Sequence, residues 1–121
     1  MRILILDDSR SRLATFRRKL IGAVVTCVEH ASDCIKELEK NGPWDVFYCD
    51  HDLDNRVFVP SGIGTGYEVI LWITNNLDKK PTKVILHTLN NIGALNMLKI
   101  MPDAIYRPGV FYSDISIQNL Y

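Results

Sequence analysis

Short apolar runs alternate with stretches of helical periodicity along the chain, and each run ends in polar residues that could do chemistry. Residues 2–6 (Arg-Ile-Leu-Ile-Leu) form the first run and stop at Asp7-Asp8. This is the pattern of a buried parallel strand that delivers two carboxylates to its carboxyl end. Ser9 is a good N-cap for a helix whose inward face is Leu13, Phe16 and Leu20, with Gly22 as its C′ residue. Arg10, Arg12, Arg17, Arg18 and Lys19 cover the other face. Most of that charge reads as solvated, and Arg10 and Arg12, in the first turn, lie near the carboxyl edge. Residues 23–28 read as a second strand. Ser32 is expected to cap a helix running to about Lys40, with Ile35 and Leu38 inward and Asn41-Gly42-Pro43 as its stop.

The third run, Val46-Phe47-Tyr48-Cys49, leads straight into Asp50-His51-Asp52-Leu53-Asp54. A loop over residues 54–66, with Pro60, Gly62, Gly64 and Gly66, precedes a helix from Tyr67 to about Asn76 with the stripe Val69, Ile70, Ile73. Residues 83–86 form a fourth strand that ends in His87-Thr88. Asn90 or Asn91 then caps a helix with Leu95, Leu98 and Met101 inward. A fifth strand over residues 104–106 ends in Arg107-Pro108, and residues 109–121 allow at most two further helical turns, with Ser113 as a cap.

This βαβαβαβαβ alternation with short connections predicts an α/β fold: one domain over residues 1–121, a doubly wound five-stranded parallel sheet with helices on both faces. The flavodoxin-like order 2-1-3-4-5 places strands 1 and 3 side by side, so Asp7, Asp8 and Asp50 would converge where open α/β sheets bind their ligands. No repeat, low-complexity segment or composition shift marks a boundary.

Composition narrows the function classes. The 14 basic and 14 acidic residues balance, which argues against a protein that coats DNA or RNA but leaves room for a small phosphate-bearing ligand. No apolar run approaches the roughly 20 residues that span a bilayer, and Met1-Arg2 leads directly into a strand with no signal-peptide pattern. Three cysteines without CxxC spacing, Cys27, Cys34 and Cys49, read as reduced thiols. A cytoplasmic protein without membrane contact is expected.

The segment 50–54 offers three carboxylates and an imidazole within five residues, a plausible cradle for a hard or borderline cation. The plainer alternative is a polar loop that ends a strand, with Asp54-Asn55 as ordinary turn formers. The glycines of the 54–66 loop match neither a P-loop nor a dinucleotide fingerprint. A loop of this length in a small domain is more often functional than idle, so it is expected to be exposed and mobile beside the cluster.

Taken in order, these residues make the whole chain resemble a response-regulator receiver domain. Asp7-Asp8 ends the first strand, Asp50 stands at the phosphoacceptor position, and Gly66-x-Glu68 opens the third helix. Thr88 holds the place of the hydroxyl residue, and Pro108 that of the proline after the fifth strand. The departures bear on function. Arg107 replaces the receiver's lysine, His51-Asp52 directly follows the acceptor, and His87 precedes Thr88. The loop after Asp50 is long and the final helix short.

These features are more similar to the receiver-like family of bacteria and phages that is predicted to process cyclic phosphates. That resemblance implies a metal-dependent phosphoesterase acting on a cyclic nucleotide or RNA end. Asp7, Asp8, Asp50 and Asp52 would hold a divalent cation, Mg²⁺ or Mn²⁺, since crowded carboxylates need a counter-charge. His51 or His87 would exchange protons, and Arg107 and Thr88 would stabilise the phosphoryl oxygens. Two other readings remain open: a receiver phosphorylated on Asp50 by a histidine kinase, and a non-catalytic pseudo-receiver that binds a partner or nucleotide.

Overall fold

The computed structural model describes residues 1–108 and 115–120. Five strands, β1 (Arg2–Leu6), β2 (Val24–Val28), β3 (Val46–Cys49), β4 (Lys83–Leu86) and β5 (Ile105–Tyr106), alternate with α1 (Arg10–Lys19), α2 (Ala31–Lys40), α3 (Gly66–Thr74) and α4 (Asn91–Ile100). All strand pairs are parallel and the order is β2-β1-β3-β4-β5, as the alternation predicts. β1 and β3 are in register from Ile3↔Val46 to Leu6↔Cys49, so their carboxyl ends, and the Asp7 and Asp50 that follow them, finish level.

The two-residue side-chain period of the strands divides the core in two. Leu4, Leu6, Phe47, Cys49, Val84 and Leu86 face α2, α3 and α4, where Leu38, Ile70, Ile73 and Met97 meet them. Ile3, Ile5, Val46, Tyr48 and Ile85 face α1, through Leu13 and Phe16, together with Leu20, Ile115 and Leu120. Every residue of β3 is buried, which explains its uninterrupted apolar run. β2, an edge strand, is only half-buried.

Several local expectations need correction. His30, not Ser32, is the N-cap of α2, and its ring makes no cap bond. Its Nδ1 instead pairs with Asp54 Oδ1 at 2.8 Å. In α4 the buried residues Ala94 and Met97 face inward, Leu98 packs partly buried against the same core and Met101 is buried at the cap as expected, whereas Leu95 is 57 % exposed. At about 100° per residue, positions 95, 98 and 101 drift through about 120°, while 94, 97 and 101 stay within about 60°. Asn90 sets that phase by accepting the Gly93 N–H. α3 ends at Thr74, and Gly22 supplies a left-handed φ of 104° one residue beyond the expected position, since Leu20 is the C-cap of α1. Of the expected final helix, a single 3₁₀ turn, Gln118–Leu120, falls among the described residues. The Ser113 cap lies outside them.

Candidate active site

The chain just beyond β1, β3 and β4 supplies Asp8, Asp50 and His87 to the wall of one cavity of about 780 Å³ at the carboxyl edge of the sheet. The buried Asp7, outside that wall, bonds to two of its residues, Arg12 and His87. Asp7, fully buried, is the most heavily bonded. Its Oδ1 accepts the Ser9 N–H at 2.8 Å and Arg12 Nη2 at 2.8 Å. Its Oδ2 accepts Arg12 Nε at 2.9 Å and His87 Nε2 at 3.0 Å. Arg12 reaches this point because Ser9 caps α1 and sets it one turn into the helix, and the same Nη2 lies 3.3 Å from Asp50 Oδ2. The guanidinium thus joins the ends of β1 and β3, in the forked geometry that arginine supplies and lysine does not.

The two buried carboxylates titrate in opposite directions. Burial alone would raise the Asp7 carboxyl, but the bonds from His87 and Arg12 outweigh it and bring it down to about 2. Asp50 is raised, because its burial and the nearby Asp7 charge are only partly offset by His87, the His51 N–H and Arg12. Two carboxyls pushed apart in this way are what acid–base chemistry at one site needs.

Among the described residues, Asp7, Asp50 and His87 form a group whose ligand atoms all lie within 4.8 Å of one another, compact enough to share one cation. Two carboxylate oxygens and an imidazole suit a hard or borderline divalent ion. Asp8 and Asp52 line the same cavity but lie outside that group. They hold the loop between β3 and α3: Asp8 Oδ2 accepts the Asn55 N–H, and Asp52 Oδ2 the Phe58 N–H, both at 2.7 Å. Asp52 is lowered: burial would raise it, and the bonds from His51, Asn90 and Phe58 overcome that.

The two histidines separate. His87 lines the cavity and packs edge-on against Phe16, with ring centroids 5.3 Å apart. His51 is fully buried and is not part of the cavity wall. Its Nδ1 donates to Asp52 Oδ1 at 2.8 Å, and its Nε2 accepts the Ser61 hydroxyl at 2.9 Å, which in turn accepts from Asn96. The ring lies against Gly93, where a Cβ would come within 2.5 Å of it. His51 therefore fastens the loop to α4. Thr88 is buried in the cavity wall and accepts the Asn90 N–H through Oγ1. Arg107 is exposed and absent from the wall. Arg12 is the cation at the carboxylates, a placement hinted at only by its first-turn position in the sequence.

The 54–66 loop does flank the cluster, through Asn55, Arg56, Val57 and Phe58. Its far end is fixed by Gly66, whose N–H donates to His51 O at 2.9 Å and whose Cα abuts the end of β3. A Cβ there would fall 1.7 Å from Asp50 O.

A parallel 2-1-3-4-5 sheet with its acidic cluster at the β1/β3 edge defines a receiver-like protein, and comparison with solved structures agrees. The chain is similar to the Mn²⁺-bound form of the response regulator Rcp1 (TM-score 0.69, 17% identity, 98% of this chain and 85% of that one). It is similar to TrrA of Thermotoga maritima in complex with Mg²⁺-BeF (0.66, 22%, 93% and 90%). It also resembles the CheY-like receiver domain of Methanospirillum hungatei JF-1 (0.65, 22%, 88% and 81%). At these identities the likeness shows the fold. No curated protein matches the sequence. Residues 2–103 match the family described as the cyclic-phosphate processing receiver domain, and the chain belongs to that family. Among the described residues, no helix is long and apolar enough to cross a membrane.

Proposed function

We propose that this chain is a metal-dependent phosphoesterase that opens a cyclic phosphate on a nucleotide or RNA end. The observation that carries this reading is the meeting of His87, Asp50 and an arginine fork on one cavity wall, with the buried Asp7 carboxylate bonded to both His87 and Arg12. Asp7 and Asp50 would hold a divalent ion, Mg²⁺ or Mn²⁺, which when bound polarises a phosphoryl oxygen and acidifies water. The cavity wall carries Asp8, Glu29, Asp50 and Asp52 against Arg10, Arg12 and Arg56, so an anionic substrate needs that added positive charge.

Arg12, partly exposed and bonded to both Asp7 and Asp50, would meet the phosphoryl oxygens from that position, the role first expected of Arg107. The Thr88 hydroxyl, which accepts from Asn90, retains its own proton to donate to the same oxygens. His87, its ring oriented by the Nε2–H bond to Asp7, would exchange a further proton with water or the leaving oxygen. His51 acts through the loop it fastens and is a positioning residue.

The test is ³¹P NMR of 2′,3′-cyclic nucleotides with protein and Mn²⁺. Turnover should fall by at least about 100-fold in His87→Ala while metal affinity persists. Unchanged turnover in that variant would remove the proton-carrier role, and lost metal affinity would make His87 a ligand instead. One observation favours the phosphoacceptor reading: Asp50 directly follows β3 on the fold shared with the response regulators above. In that case Asp50 would accept a phosphoryl group and no ester would be cut.

A further inference from the structure

The carboxylate end of the cavity accounts for a phosphate, but not for the apolar side chains on its rim. Val57 and Phe58 lie on the wall at 72 % and 70 % exposure, and Leu89, from the loop after β4, is 59 % exposed on the same wall. Single exposed apolar residues are ordinary. Three on the rim of one charged cavity, one of them an aromatic ring, are a built surface of the kind small-molecule sites use, apolar walls around a few convergent polar groups.

Phe58 is also held where a ring is costly to place. Its φ is 51°, in the left-handed region that bulky residues rarely adopt. Its N–H is fixed by Asp52, and Asp52 in turn by His51 and Asn90. The same chain of bonds that ends at the buried imidazole therefore fixes the backbone of Phe58 at the wall of the cavity that holds Asp50 and His87.

We propose that Phe58, with Val57 and Leu89 beside it, is a stacking platform for the nucleobase of the ligand. It would make the site selective for nucleosidic phosphates over base-free phosphodiesters. The proposal rests on the phosphate-end reading above and adds the base as the second recognised part. An aromatic face accepts any base, because every base has a π-face, so the platform confers nucleoside selectivity without sequence selectivity.

Calorimetry with Mg²⁺ present tests this, using adenosine 3′-monophosphate, a short oligoribonucleotide with a 3′-phosphate, and base-free glycerol phosphate as probes. Stacking of one base predicts that the nucleotide binds roughly 5- to 150-fold more tightly than glycerol phosphate. Phe58→Ala should erase most of that ratio without changing glycerol phosphate binding, and Phe58→Trp should keep it. Since the ring is exposed, its truncation leaves the core intact. A Phe58 effect on the oligonucleotide alone would assign the platform to RNA ends, and an effect on both ligands would include free nucleotides. Equal affinities of glycerol phosphate and both nucleosidic probes, binding of both probes unmoved by Phe58→Ala, or a Phe58 effect on self-association alone would overturn the platform. Base-dependent binding without hydrolysis of any cyclic phosphate would leave the platform standing and remove the esterase reading. Hydrolysis indifferent to the base would do the reverse.

Discussion

Asp7 and Asp50 come from neighbouring strand ends and share Arg12, yet their environments shift their carboxyls in opposite directions. Asp7 is held ionised by four hydrogen bonds. Its lowered folded value of about 2 contributes stability that is fully present above the unfolded carboxyl value. That stability is lost as pH falls from about 3.9 toward 2. Asp7→Asn should cost about 2–3 kcal/mol at neutral pH, less than a fully buried pair because Arg12 is partly exposed, and should flatten acid unfolding between pH 4 and 2. Asp50 has the other sign. Its raised value favours the folded state below the unfolded carboxyl value and disfavours it once pH rises through the folded one. Asp50→Asn should therefore stabilise the protein at pH 7 by on the order of 1 kcal/mol, with the gain shrinking toward pH 4. Thermal melts across that range check both, and a destabilised Asp50→Asn at pH 7 would contradict the assignment. Both aspartates were legible in the sequence as strand-end acids. Their opposite titration was not, since it depends on which donors the fold brings to each oxygen.

At the scale of elements, the strands were legible almost to the residue, because fully buried parallel strands leave uninterrupted apolar runs. Helix faces were less so. α4 contains apolar residues on several sides, and only the Asn90 cap and the close approach of Gly93 to His51 fix which side turns inward. The least legible element was the β3–α3 loop. Its sequence gives length and glycines, while its anchors are carboxylates, Asp8 and Asp52, that read equally well as metal ligands. His51→Ala should remove a buried ring bonded at both nitrogens and cost about 2–4 kcal/mol. Hydrogen exchange of residues 54–66 should rise at the same time. His51→Asn, able to reach Asp52 in place of Nδ1, should retain part of the protection. Unchanged exchange in His51→Ala would mean that the latch does not hold the loop. Gly66→Ala, which would set a methyl group 1.7 Å from Asp50 O, should disturb the carboxylate and the loop together.

At the scale of the whole molecule, a receiver fold has been given a cavity in which Arg12 spans the strand ends, while the fifth strand's Arg107 stays outside. If Asp7 and Asp50 hold a divalent ion in the folded state only, millimolar Mg²⁺ or Mn²⁺ should raise the melting temperature, and Asp50→Ala should abolish the rise. The most direct measurement follows one sample of protein with Mn²⁺ by ³¹P NMR and intact-mass spectrometry, fed first a 2′,3′-cyclic nucleotide and then acetyl phosphate. The esterase account predicts conversion of the cyclic phosphate to a monoester, slowed at least about 100-fold by His87→Ala, and no lasting mass increase. An untouched panel of cyclic nucleotides and cyclic-phosphate RNA ends, together with a stable phosphoryl group on Asp50, would contradict it.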